Sequence, residues 1–199
     1  MNRRLLLFLP LGLASLFPSA QKLNIGLRGD FTYSRINGDG MSIGYKAGFN
    51  AGGFAEYKIN RQWSVQPELL FSQRNIKIGN FKEFFASSAS EDPGQYAFLS
   101  YVSVPVSVKY KLLKELTVNA GAQYSYLVHA DETLLRDKSD GFKKNEFGLL
   151  GGIEYTPSRL RFYGRYYRSL YDINHINDLH TWYTSQFQLG VGYILFSRN

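Results

Sequence analysis

The sequence predicts an all-β chain, closed into an eight-stranded antiparallel transmembrane β-barrel with short periplasmic turns and long extracellular loops. Three observations predict it. An apolar period of two recurs eight times beyond residue 21, short and long connections alternate throughout, and aromatic residues gather toward both ends of the strands.

The first 20 residues stand apart from that pattern. Arg3 and Arg4 precede an apolar stretch, Leu5 to Phe17, that is too short to span a bilayer and is interrupted by Pro10 and Gly12. Pro18-Ser19-Ala20-Gln21 follows, with a small residue at the expected cut after Ala20. These are the marks of a secretory signal peptide, so residues 1–20 are expected to be removed and 22–197 to form the barrel domain. The chain has no cysteine, which excludes disulfides, zinc–thiolate sites and a lipid-modified cysteine behind the signal.

Strands are read at 22–35, 43–58, 63–77, 98–111, 115–129, 144–156, 159–171 and 183–197. The eighth is the clearest. Phe187, Leu189, Val191, Tyr193 and Leu195 alternate with Gln186, Gln188, Gly190 and Gly192, and Ile194 is the one apolar intruder. The sixth repeats the theme, with Phe147, Leu149, Gly151, Ile153 and Tyr155 on one face and Glu146, Gly148, Gly152 and Glu154 on the other. Successive strand side chains point to opposite faces, so each segment has one apolar face and one polar or small face. As read, every strand exceeds the roughly 9–11 residues that a tilted strand needs to cross a bilayer.

The connections supply orientation. Asn60-Arg61-Gln62, Leu112-Leu113-Lys114 and Pro157-Ser158 are tight, and 36–42, 78–97, 130–143 and 172–182 are long. Outer-membrane barrels keep short turns on the periplasmic side and long loops outside. An even strand count then leaves both termini in the periplasm. Tyr57, Trp63, Tyr110, Tyr155 and Tyr193 fall near the short-turn ends, and Tyr33, Tyr45, Tyr126 and Phe147 toward the opposite ends. Amphipathic rings favour the headgroup level, so two bands are expected.

The polar face carries Arg28, Asp30, Lys46, Glu56, Lys58, Glu68, Lys109, Glu154, Arg161 and Arg165. Eight strands enclose a space just wide enough for side chains to fill, so these are expected to pair inside it. Gly44, Gly48, Gly52, Gly121, Gly148, Gly152, Gly190 and Gly192 share that face and would make room for the long side chains. On the same reasoning Gln188 should accept an arginine more readily than Leu149 or Leu189. Pro67 and Pro105 fall inside strands and remove ladder donors, which predicts a bulge or local break at each.

Several segments are similar to a known family. Gln66-Pro67-Glu68-Leu69-Leu70-Phe71-Ser72-Gln73-Arg74 resembles the third-strand motif of the PorT-like outer-membrane β-barrel family of Bacteroidetes. Tyr101-Val102-Ser103-Val104-Pro105-Val106-Ser107-Val108-Lys109-Tyr110 resembles its next strand, in which a proline precedes a Lys-Tyr pair. Gly121-Ala122-Gln123-Tyr124 and Phe147-Gly148-Leu149-Leu150-Gly151-Gly152 resemble later strands. The resemblance implies a barrel in the outer membrane of a Gram-negative cell. It implies little about activity, because the founding type's association with type IX secretion transfers through no particular residue.

Chemistry-bearing residues are sparse. Net charge is +7, but Lys and Arg are scattered along alternating positions instead of forming the basic patch that nucleic acid requires. His129, His175 and His180 all fall at expected extracellular strand ends or in loops. Ser125 and His129, with Asp131 and Glu132 beyond, are expected to share a strand face at a separation of about 13 Å, too far for a nucleophile and its base. His175 and His180 with Asp172 and Asp178 read as a polar loop. Phe81, Phe84 and Phe85 beside Glu83, Glu91 and Asp92 mark either a binding surface or rim packing. No catalytic, cofactor-binding or metal-ligating residue is assigned.

The expectation is therefore a non-enzymatic outer-membrane barrel with a structural, adhesive or secretion-accessory role. Its expected partners are outer-membrane lipid and lipopolysaccharide, and secretion-system or cell-envelope proteins. A lipid-modifying outer-membrane enzyme and a soluble lipocalin-like barrel are the alternatives.

Overall fold

The computed structural model describes residues 23–41, 44–85, 96–131, 141–176 and 179–198. Residues 1–20, expected to be an export signal, lie outside them, as do Glu91, Asp92, Glu132 and Asp178. The strands are β1 Leu23–Asn37, β2 Lys46–Lys58, β3 Trp63–Lys77, β4 Tyr96–Lys111, β5 Leu116–Asp131, β6 Asn145–Tyr155, β7 Leu160–Ser169 and β8 Tyr183–Arg198. A single helical turn, α1 Phe81–Phe84, lies between β3 and β4. Each strand pairs antiparallel with its chain neighbours, and β8 closes on β1. β6 and β7 are shorter than expected, at 11 and 10 residues, yet still within the span a tilted strand requires.

The two faces divide as the period of two demands. On β8, Phe187, Leu189 and Val191 are exposed to the surroundings, while Gln186 and Gln188 are buried. Phe31 is 75 % exposed, and its β1 neighbour Asp30 only 6 %. Apolar outside and polar inside is the inverse of a water-soluble barrel, which overturns the lipocalin-like alternative. The outer face shows the expected rings at both ends, including the contacting pair Trp63 and Tyr110, with centroids 4.8 Å apart and planes tilted by 55°, beside the first and second short turns.

Inside, side chains fill the barrel. Gly190 stands where any Cβ would lie 2.4 Å from both the Asp30 Cβ and the Tyr163 hydroxyl, and at Gly152 it would meet the Gly164 carbonyl at 2.2 Å. These glycines let long neighbours cross the lumen. Gly44 is the exception, since it lies in the first loop ahead of β2. Gln188 does not have the room expected of it. It is buried opposite Arg165, and its amide donates to Gln186 Oε1 at 2.8 Å, so an arginine there would meet a like charge in filled space.

Both prolines interrupt the ladder without changing its register. Ala55 and Glu56 have no partner across from Pro67 and Gln66, although β2 and β3 pair on either side of them. Glu68 and Leu69 likewise lose pairing on the β4 side, opposite Pro105 and Val104. Each break lies on the one edge toward which the missing N–H would have pointed, because Pro67 stays paired with Val106 and Pro105 with Gln123. The true register shifts fall elsewhere, at Ile25/Gly26 and Ser100/Tyr101.

Candidate functional site: a charged lumen beneath a loop-sealed mouth

Three levels occupy the lumen above the periplasmic turns. Nearest the periplasm, Lys109 Nζ lies 2.6 Å from Glu154 Oε1 and donates to Gln66 Oε1 at 3.0 Å. Arg161 pairs with Glu56, which also accepts from Asn24 and Ser64. One level up, Arg28 bridges Glu68 and Asp30, Arg165 Nη2 lies 2.8 Å from Glu68 Oε1, and the Tyr163 hydroxyl donates to Asp30 at 2.9 Å. Higher still, Arg74 reaches Glu146 at 2.7 Å and lies over the Tyr101 ring, while Tyr167 donates to the same carboxylate. Between these last two levels lies a neutral layer that includes Ser72, Ser103, Ser125 and Gln123.

Among the described residues the buried charges number five cations and five carboxylates. A buried ion is tolerated only with a partner and further hydrogen bonds. Each of these ions has an opposite charge within reach, but Arg74 Nε and Nη2, Arg161 Nε and Arg165 Nε have no hydrogen-bond partner among the described residues. Nine of the ten were visible in the alternation. Arg74 was not assigned to the polar face, and its partner Glu146, 72 positions away, could not be paired with it by spacing.

Above Arg74 the lining turns apolar. Ile36, Ile76, Ile78, Phe85, Ala97, Leu99, Tyr101, Leu127, Phe142, Ile173 and Trp182 form one buried cluster that seals the extracellular mouth. Loops contribute five of its members, Ile78, Phe85, Phe142, Ile173 and Trp182, which places part of the core of the mouth on segments whose sequence has no period to read. Trp182 is fully buried, and its indole N–H donates to the Asp39 carbonyl at 3.0 Å, tying the loop before β8 to the one after β1.

Asp172 is the hub of the last loop. It accepts from the backbone N–H of Trp182 at 2.7 Å and of Asn174 at 2.9 Å, and Lys143 Nζ pairs with it at 2.9 Å. Burial alone would raise its pKa. The two N–H groups and the ammonium outweigh that and hold the carboxyl below its usual range. Short bridges between Phe142 and Asn174 and between Met41 and Ile78 fasten the loops pairwise.

The singled-out side chains are dispersed by this arrangement. Ser125 is buried in the neutral layer, bonded to Ser103 and Gln123. His129 is exposed and lies opposite Ser100, because Val128 is the extra residue at the register shift. The expectation that the two share a face is thus corrected: the bulge turns His129 out of the alternation. His180 Nδ1 lies 2.8 Å from Asp39 Oδ2 and His175 is exposed, with its backbone N–H on the Gly141 carbonyl. Among the described residues no three His, Asp or Glu side chains converge as a metal site would need. Phe85 is buried in the cap, whereas Phe84 is partly exposed with its ring edge-on to His180. Rim packing therefore accounts for Phe85.

A vestibule of about 980 Å³ lies within the three short turns, lined by Lys58, Arg61, Lys111, Lys114 and Arg159 among others.

A closed barrel with an apolar exterior, a paired charged interior and long loops at one end is a membrane-spanning β-barrel. The chain belongs to the outer membrane protein beta-barrel domain family, whose model matches residues 19–174. It is therefore an outer-membrane protein. Among solved structures, Neisserial surface protein A is 13 % identical over 86 % of this chain and 97 % of its own, with a TM-score of 0.55. Ail, the attachment invasion locus protein of Yersinia pestis, is 16 % identical over 88 % of this chain and 99 % of its own, with a TM-score of 0.52. At such identities the likeness is one of fold. No curated protein matches the chain in sequence.

Proposed function

We propose that this protein is a non-enzymatic outer-membrane barrel that acts through its extracellular loops, in a structural, adhesive or secretion-accessory role. The observation that carries the reading is the sealed mouth. Apolar side chains from strands and loops close the lumen above the Arg74–Glu146 pair, so the loops offer an outward surface more readily than a passage. The resemblance of residues 66–74 and 101–110 to the PorT-like family of Bacteroidetes supports a role in the cell envelope, with export directed by residues 1–20. Ail is named for attachment and invasion. That name supplies a precedent for loops on an eight-stranded barrel, and no residue correspondence.

A deletion strain complemented with wild type or with a loop-replacement variant tests the reading. Loss of surface attachment or of secreted protein, restored by wild type and not by the loop variant, is the expected result. An altered lipid A mass profile in the deletion strain, restored by both, would instead establish a lipid-modifying enzyme.

A further inference from the structure

Among the described side chains, the outer face of the strands is almost free of charge, and the exceptions are all of one sign. Every strand carboxylate whose side chain is described faces the lumen. Among the described side chains, four charged residues take the outward alternation: Arg35, Lys77 and Arg168 at the loop ends of β1, β3 and β7, and Arg198 at the periplasmic end of β8. Two of these are neighbours. Ser185 of β8 is paired with Arg35 on one side and Arg168 on the other, so the two arginines flank it across three adjacent strands.

That row lies within two residues of the ends of β1, β7 and β8. At about 3.3 Å per residue this is the headgroup level of the outer leaflet. Below it runs an aromatic shelf: the Tyr45 and Phe187 rings are 5.7 Å apart, and those of Phe187 and Tyr166 4.9 Å. The Arg35 guanidinium lies over Tyr45 at 4.9 Å, and the Tyr166 phenol sits between Ser185 and Arg168, within the field of Arg35. Arg35 Nε is buried with no hydrogen-bond partner among the described residues. A cation turned toward lipid with no carboxylate beside it is costly unless an anion completes it.

We propose that Arg35 and Arg168 form a binding site for a phosphate of an outer-leaflet glycolipid. Guanidinium groups bind phosphate through paired N–H donors, and Asn37, whose amide donates to Ser185 Oγ at 2.8 Å, braces the row from above. The ring shelf underlies the sugar and the start of the acyl chains. The site depends on the outer-membrane placement of the barrel and is independent of the loop-based role.

Native mass spectrometry of the detergent-purified barrel tests it, with bisphosphorylated lipid A, dephosphorylated lipid A and phosphatidylglycerol as probes. Wild type is expected to retain bisphosphorylated lipid A. The double variant Arg35→Gln/Arg168→Gln is expected to retain about tenfold less or lower still, as loss of charge-assisted hydrogen bonds predicts. Arg198→Gln, at the other end, should behave as wild type. A heat-shifted gel band verifies that each variant is folded. Equal retention by wild type and a folded double variant would overturn the site, and so would equal retention of dephosphorylated lipid A. Phosphatidylglycerol displacing lipid A at equal mole fraction would overturn the glycolipid assignment. Should the double variant fail to fold, the dephosphorylated probe on wild type decides.

Discussion

Arg74 Nη1 and Glu146 Oε2 meet at 2.7 Å across the lumen, one from β3 and the other from β6, with the Tyr167 hydroxyl on the second carboxylate oxygen. The pair stands immediately beneath the apolar cap, where neither ion could be rehydrated by a shift of side chain. Strands that are not neighbours in the sheet are thereby joined through the middle of the barrel.

Removing one member should cost far more than removing both. Glu146→Ala is expected to destabilise the barrel by about 3–5 kcal/mol, because the Arg74 charge is left buried and alone. Arg74→Met together with Glu146→Leu should recover much of that. Urea unfolding in lipid vesicles, followed by tryptophan fluorescence, would compare the three. A double variant destabilised as much as Glu146→Ala, or more, would mean that the isolated Arg74 charge is not the source of the cost.

The outward face gives a depth-dependent expectation. Leu149→Arg and Leu189→Arg lie near the middle of β6 and β8 and should each cost roughly 2–4 kcal/mol, whereas Tyr193→Arg, nearer the interface, should cost about 0–1 kcal/mol. The same vesicle assay would rank them. A flat ranking would place the bilayer midplane elsewhere on the barrel.

Packing inside is tested at Gly190. A methyl there would lie 2.4 Å from Asp30 Cβ and 2.6 Å from the Gly29 carbonyl. Backbone atoms cannot retreat as a side-chain tip can. Gly190→Ala is therefore expected to lose about 1–3 kcal/mol by overpacking, seen as a lower temperature for loss of the compact gel band. Gly164→Ala faces outward, meeting only a Leu189 methyl at 3.4 Å, and should be close to neutral.

Acid should loosen the mouth. The carboxyl of Asp172 is held below its unfolded value by N–H donors and Lys143, so its contribution is complete above that unfolded value, near 3.9. It is then lost as pH falls through the folded value. In a Trp63→Phe background, Trp182 emission should red-shift over that acid window. Asp172→Asn should bring the shifted emission to neutral pH. Emission that ignores both changes would show that the loop is held by the apolar cluster alone.

The architecture was legible because membrane strands obey a strict alternation. β3 matched its expected bounds at both ends, and β1, β4, β5 and β8 differed by a residue or two, since lipid on one side and a filled lumen on the other penalise any slip of parity. Prolines were legible as interruptions, because a missing donor acts on its own strand and edge. The mouth was less so. Asp172, His175 and His180 stood out by residue type, yet nothing in their spacing joins Trp182 to Asp39 or Phe142 to Asn174.

Strand number, facing, and the end that bears the loops follow from local period and turn length along the chain. Tertiary structure alone decided which charges meet. Arg74 with Glu146, and Arg35 with Arg168 around Ser185, are set by closure of the sheet and by register. Those quantities depend on every strand at once, so no stretch of sequence encodes them. The β4–β5 pairing likewise leaves Val128 as the extra residue of the bulge that turns His129 outward.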